Sequence, residues 1–175
     1  MKNIYTFFLL VVIFTSLSLS AEVNRSQKNP YEKSGAPVLN GSGGPDAFGY
    51  TWIDSDAPSG PTFGWIDIAT TGVAITGSSP WVQSGTLTAT DEGYIEISLP
   101  FPFNFYGTEY STAFIGTNGT LSFTPPSGSF FTNGALPTAG AGIDNFIAAF
   151  WDDLDAAGSG VIYYGTSGDN FIVQF

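Results

Sequence analysis

From Pro45 onward, short apolar bursts alternate with clusters of Gly, Pro, Asn, Asp and Ser, and no stretch of a dozen residues sustains a 3.6-residue period. That pattern predicts β structure without a long helix. Its clearest segment is 94–106. Ile95, Ile97, Leu99, Phe101, Phe103 and Phe105 fall on one parity, and Glu96, Ser98, Pro100, Pro102 and Asn104 on the other. Alternation of this kind buries one face of a strand and wets the other. Because proline cannot donate to a ladder, the segment is expected to be an edge strand or two strands with a bend at Pro100 and Pro102.

A hairpin should follow. Asn118-Gly119 suits a two-residue type I′ turn, in which both central residues take φ > 0. That turn would pair Thr117 with Thr120, Gly116 with Leu121 and Phe114 with Phe123, setting Phe114, Leu121 and Phe123 on one core-facing side. Further strands are expected at 49–53, 63–68, 73–76, 145–151, 161–164 and 171–175, with a turn at 165–170 joining the last two. Short strands of this number, with turn chemistry between them, predict an all-β fold: a mostly antiparallel two-sheet β-sandwich. The chain stops inside an alternating apolar run, so the sandwich is expected to be incomplete at its C-terminus and the chain a fragment of a longer protein.

Before the domain, Lys2 precedes an apolar run over 4–17, and Ser18-Leu19-Ser20 with Ala21 offers small residues for cleavage. This reads as a secretory signal over 1–21; the run is shorter than the ~20 residues a membrane-spanning helix needs. Residues 22–44 are polar and are expected to be a flexible leader, which assigns 45–175 to the module. No second such run follows, and no membrane span is expected in the mature chain.

Composition sharpens this picture. Of 175 residues, 16% are aromatic, and there is neither Cys nor His. The only cations are Lys2, Arg25, Lys28 and Lys33, against fifteen acidic residues, for a net charge of −11. Residues 34–175 hold thirteen of those acids and no cation. Missing side chains exclude chemistry: no Ser-His-Asp or Cys-His nucleophile, no Schiff-base or P-loop Lys, no His or Cys metal site. Nucleic acid is excluded as a partner, because counterion release needs cations. A carboxylate pair could in principle serve a glycosidase, but any acidic β domain offers such pairs, and no catalytic residue is assigned.

Two acidic clusters stand out. Asp152, Asp153 and Asp155 follow a predicted strand and precede a Gly. Asp153-x-Asp155-x-x-Gly158 begins like an EF-hand loop, but Ala157 stands at the third ligand position and Tyr164 at the twelfth. A looser oxygen site for calcium on Asp152, Asp153 and Asp155 is the metal expectation, ahead of Asp54 and Asp56; the alternative is Asp as a turn former. Trp81, in Ser79-Pro80-Trp81, is the expected exposed aromatic. Asn118-Gly119-Thr120 also matches a glycosylation sequon, as do Asn24-Arg25-Ser26 and Asn40-Gly41-Ser42.

The order of several segments then resembles a known pattern. Phe105-Tyr106-Gly107 leads to Phe114-Ile115-Gly116-Thr117-Asn118-Gly119-Thr120-Leu121-Ser122-Phe123. Next come Phe146-Ile147-Ala148-Ala149-Phe150-Trp151-Asp152-Asp153, Val161-Ile162-Tyr163-Tyr164 and Phe171-Ile172-Val173-Gln174-Phe175. This is similar to the nidogen-like extracellular domain over about 101–175. Ala149 stands where that family commonly has Pro, and Cys is absent, which suits a distant or bacterial form. The run from Gly44 to Asp56 is similar to a stretch that opens such domains in large secreted bacterial proteins. The resemblance implies a secreted or cell-surface, non-catalytic interaction or adhesion module, binding an extracellular protein or carbohydrate. The alternative is an accessory N-terminal domain of a secreted hydrolase, such as a peptidase, whose catalytic domain lies beyond residue 175. Neither reading supplies a catalytic residue.

Overall fold

The computed structural model describes residues 41–55, 57–134, 136 and 142–175. The predicted signal over 1–21 and most of the predicted leader lie outside them. Among the described residues there are ten strands and no helix, and no helix long and apolar enough to cross a membrane.

The chain divides into two bodies, with the break after Gly64. In the first, β1 (Ser42–Gly43) pairs antiparallel with β2 (Trp52–Ile53). Asp46 closes the intervening loop, its Oδ1 accepting the N–H groups of Phe48, Gly49 and Tyr50 at 2.8–2.9 Å. The rings of Phe48 and Tyr50 stack with centroids 5.6 Å apart.

The second body, from Trp65, is the sandwich. Its strands are β3 (Val73–Ile75), β4 (Val82–Gln83), β5 (Gly93–Phe105), β6 (Thr108–Gly116), β7 (Thr120–Ser122), β8 (Phe146–Ala148), β9 (Ile162–Ser167) and β10 (Asn170–Gln174). One sheet has the order β4-β5-β6-β7-β8 and the other β10-β9-β3, with every pairing antiparallel. Between them lies one apolar core. The first sheet contributes Ile95, Ile97, Leu99, Ala113, Ile115, Leu121 and Phe123; the second contributes Ile75, Ile162, Phe171 and Val173. This is the all-β sandwich that the alternation predicts.

β5 follows its predicted parity throughout. Ile95, Ile97 and Leu99 are buried, the three Phe are half-buried or better, and Glu96, Ser98, Pro100, Pro102 and Asn104 are exposed. The prolines neither split the strand nor pair in it. The β5–β6 register breaks between Ser98 and Phe103, so that 99–102 stand opposite Ser111 alone. A bulge absorbs the two residues that lack an N–H.

Three expectations are corrected. The β6–β7 hairpin pairs Phe114 with Ser122 and Ile115 with Leu121, one residue out of the expected register. Its connection is the three-residue Thr117-Asn118-Gly119, in which Gly119 alone takes a positive φ, of 67°. The physical cause is tertiary: Thr117 and Asn118 are both buried and spend their side chains on other segments instead of on a type I′ turn. Since a one-residue slip exchanges faces, Ile115 joins Leu121 and Phe123 in the core. Phe114 lies on the opposite face, edge-on to Tyr94 at 5.4 Å. Both faces of this hairpin are covered, so apolar residues of either parity are satisfied there.

Residues 63–68 form no strand. Phe63 is exposed, whereas Ile68 is buried, and its N–H goes to the Gln174 side chain at 3.0 Å in place of a ladder. Trp81 is not an exposed aromatic. Its indole packs against the core and its Nε1 donates to Thr76 O at 2.9 Å.

Candidate functional site

Three segments distant in sequence meet at one end of the five-stranded sheet. The first is the turn before β5, where the N–H groups of Asp91 and Glu92 both donate to Thr88 O, at 3.1 and 2.8 Å. The second is the β6–β7 tip. Thr117 N–H donates to Gly93 O at 3.0 Å, and its hydroxyl donates to Asp91 O, fixing the tip to the turn. The third is the stretch after β8, tied to both. Ala149 and Phe150 N–H donate to Gly119 O at 3.2 and 3.0 Å, Leu154 N–H to Asn118 Oδ1 at 2.8 Å, and Ala156 N–H to Thr90 O at 2.8 Å. Gly119 makes this docking feasible, because a Cβ there would collide with the Phe150 carbonyl.

The result is a carboxylate cluster. One oxygen each from Asp91, Glu92 and Asp153 lie within 4.8 Å of one another. Glu92 is 0% exposed. Its Oε2 accepts the Phe130 N–H at 3.2 Å, while its Oε1 has no hydrogen-bond partner among the described residues. Asn118, also 0% exposed, gives its Oδ1 to Leu154, and its Nδ2 has no partner of good geometry there either.

The electrostatics follow from that packing. Burial pushes the Glu92 carboxyl above its usual range; the Phe130 N–H and the Asn118 side chain pull it down, and Asp91 and Asp153 push it up again. Asp91 is raised as well, by burial first and then by Asp155 and Asp153. A carboxyl whose pKa is higher in the folded state weakens the fold when ionised; the loss grows as pH rises above the unfolded pKa and is complete above the folded one. Among the described residues no Lys, Arg or His is present to offset it.

Of the residues singled out in the sequence, Asp153 is drawn into this cluster. Asp152 and Asp155 lie on the same stretch, but each uses an oxygen locally, for Asp153 N–H at 2.9 Å and Ala157 N–H at 2.7 Å. Asp54 belongs to the first body, where its Oδ2 accepts the Gly41 N–H at 3.0 Å; Asp56 lies outside the described residues. Asp91 and Glu92 were not foreseen. The only local hint is an acidic pair directly before the alternating run of β5, and such pairs are common at strand starts. Asn118 is buried, which removes it as a glycosylation acceptor in the folded chain. Chemically, the cluster offers hard oxygen donors and no nucleophile–base pair.

The family model described as NIDO related matches residues 65–171, which is the sandwich body from its first residue into β10. Among curated proteins, the chain is 33% identical to alpha-tectorin of Mus musculus over 97 residues, 54% of this chain and 4% of that protein. It is also 33% identical to Dendrite extension defective protein 1 of Caenorhabditis elegans over 69 residues, 39% of this chain and 6% of that protein. The human alpha-tectorin match is 33% over 87 residues, 49% of this chain and 4% of the protein. The chain therefore spans a small fraction of the length of these relatives. No solved structure gives a significant match.

Proposed function

The chain belongs to the NIDO-related family, and from that premise we propose that it is a secreted or cell-surface, non-catalytic interaction module that serves adhesion. The observation that carries this reading is the coincidence of the family match, 65–171, with the sandwich body. Secretion is supported by the Lys2 and 4–17 pattern at the N-terminus. A non-catalytic role is supported by the residue inventory: the described sandwich offers carboxylates, hydroxyls and aromatics, without the His, Lys or Cys that activate most nucleophiles. The partner class is an extracellular protein or carbohydrate.

The test uses the full chain, expressed with its own N-terminus in a secreting host. The chain should reach the medium or cell surface cleaved near Ala21. Immobilised and folded, it should retain labelled extracellular proteins or glycans saturably, and lose them in Ile115→Asp, which places a charge in the inter-sheet core. Retention in the cytoplasm, or hydrolysis by the purified chain, would overturn the reading.

A further inference from the structure

We propose that Asp91, Glu92 and Asp153 form a calcium site that ties the 88–92 turn to the stretch after β8, beside the β6–β7 tip. The inference rests on the geometry of the sandwich and goes beyond the interaction reading.

Geometry comes first. Calcium takes six to eight oxygen ligands at about 2.3–2.6 Å, so two ligands on opposite sides of one ion stand roughly 4.6–5.2 Å apart. The three carboxylate oxygens lie within 4.8 Å of one another, which lets all three reach a single ion. Magnesium requires about 2.1 Å in near-ideal octahedral geometry, keeps several waters and is usually bound through one or two carboxylates, whereas three protein carboxylates converge here. Backbone carbonyls and water would complete the shell.

Burial is the second, independent observation. Exposed Asp clusters need no ion, since water and salt suffice. Glu92 has no such access: it is wholly buried and its Oε1 has no partner among the described residues. An unpaired charge in that position is costly enough that proteins neutralise or pair it.

Asn118 does not relieve this. Its Oδ1 accepts the Leu154 N–H, and its Nδ2 makes no hydrogen bond of good geometry among the described residues. Three carboxylates brought this close call for a cation. Residues 34–175 contain none of their own.

The experiment is thermal melting of the full chain in chelator, then in about 5 mM calcium, several-fold above the ~1 mM upper end for extracellular sites, against sodium chloride at matched ionic strength. Calcium should raise the melting temperature by roughly 3–6 °C beyond the salt control. Terbium luminescence should report binding directly and be displaced by calcium. Asp153→Asn, at an exposed position whose loss leaves the core intact, should abolish both responses while melting no lower than the parent in chelator. Glu92→Gln should do the same to the calcium response. Asp152→Asn, outside the cluster, should keep both. Equal shifts in calcium and sodium, or a calcium shift that survives Asp153→Asn, would sink the site. An equal shift in magnesium would overturn the assignment to calcium.

Discussion

At Gly119 the backbone takes a φ of 67°, and the Phe150 carbonyl occupies the space a Cβ would need. Two penalties therefore coincide in Gly119→Ala: a left-handed backbone conformation and a clash with main chain that cannot rotate away. We expect a loss of about 2–3 kcal/mol in urea unfolding. Gly158→Ala, on the same stretch but with open space around it, should stay within roughly 0.5 kcal/mol of the parent. Parity of the two variants would mean that the 149–154 stretch is not docked on the tip in solution. Thr117 makes a similar test of one hydroxyl. Buried, it donates to Asp91 O and receives the Gly93 N–H at 3.4 Å. Thr117→Val keeps the shape and leaves those backbone groups unpaired, so about 1–3 kcal/mol should be lost.

The strands divide into those that local pattern makes legible and those that it does not. β5 was readable because alternation over its length is a property of one segment, and along β5 only one face of the sheet is buried. The hairpin after β6 was visible as a hairpin, since Asn-Gly marks a turn. Its register was not, because both faces of β6 and β7 are covered, so hydrophobicity no longer chooses between registers. The choice falls to Thr117 and Asn118, whose partners Asp91, Gly93 and Leu154 lie outside the hairpin. β4 escaped notice for a related reason: two exposed residues, Val82 and Gln83, carry no period, and pairing with Tyr94 and Gly93 defines them. The same pairing has a consequence for β5. β4 covers only its first two residues, so among the described residues the rest of β5 has no strand on that side. Pro100 and Pro102 sit on this open edge, where proline blocks unwanted pairing. Replacing both with Val should leave urea stability nearly unchanged, within about 1 kcal/mol, while increasing association in light scattering at high concentration. A double variant that remains monomeric would show that another feature protects the edge.

Across the whole molecule, what sequence could show and what only the fold could show separate along contact distance. Two sheets and one core follow from period-2 segments and turns, each decided within a few residues. The carboxylate cluster joins Asp91 and Glu92, ahead of β5, to Asp153, after β8, and no local pattern links them. Charge is the exception, a global property legible from composition. Thirteen acids and no cation make residues 34–175 self-repelling. Two contributions to that repulsion can be separated by their response to salt. Carboxylates spread over the surface interact through solvent, so raising sodium chloride from about 0.01 to 0.15 M shortens the screening length from ~30 to ~8 Å and removes most of their mutual cost. In chelator, the melting temperature should rise by a few degrees over this range and then level off, as calorimetry at graded salt would show. The Asp91–Glu92–Asp153 cluster is different. Its oxygens are within 4.8 Å of each other, inside the screening length at either salt concentration, and Glu92 has no solvent contact. Sodium chloride therefore leaves its cost in place, and Asp153→Asn should raise the salt-independent part of the curve without changing its slope appreciably. A melting temperature flat in salt would show that the surface acids are too dispersed to repel. A variant whose gain disappears at 0.15 M sodium chloride would show that Asp153 acts as one surface charge among many, and not as a partner of buried Glu92.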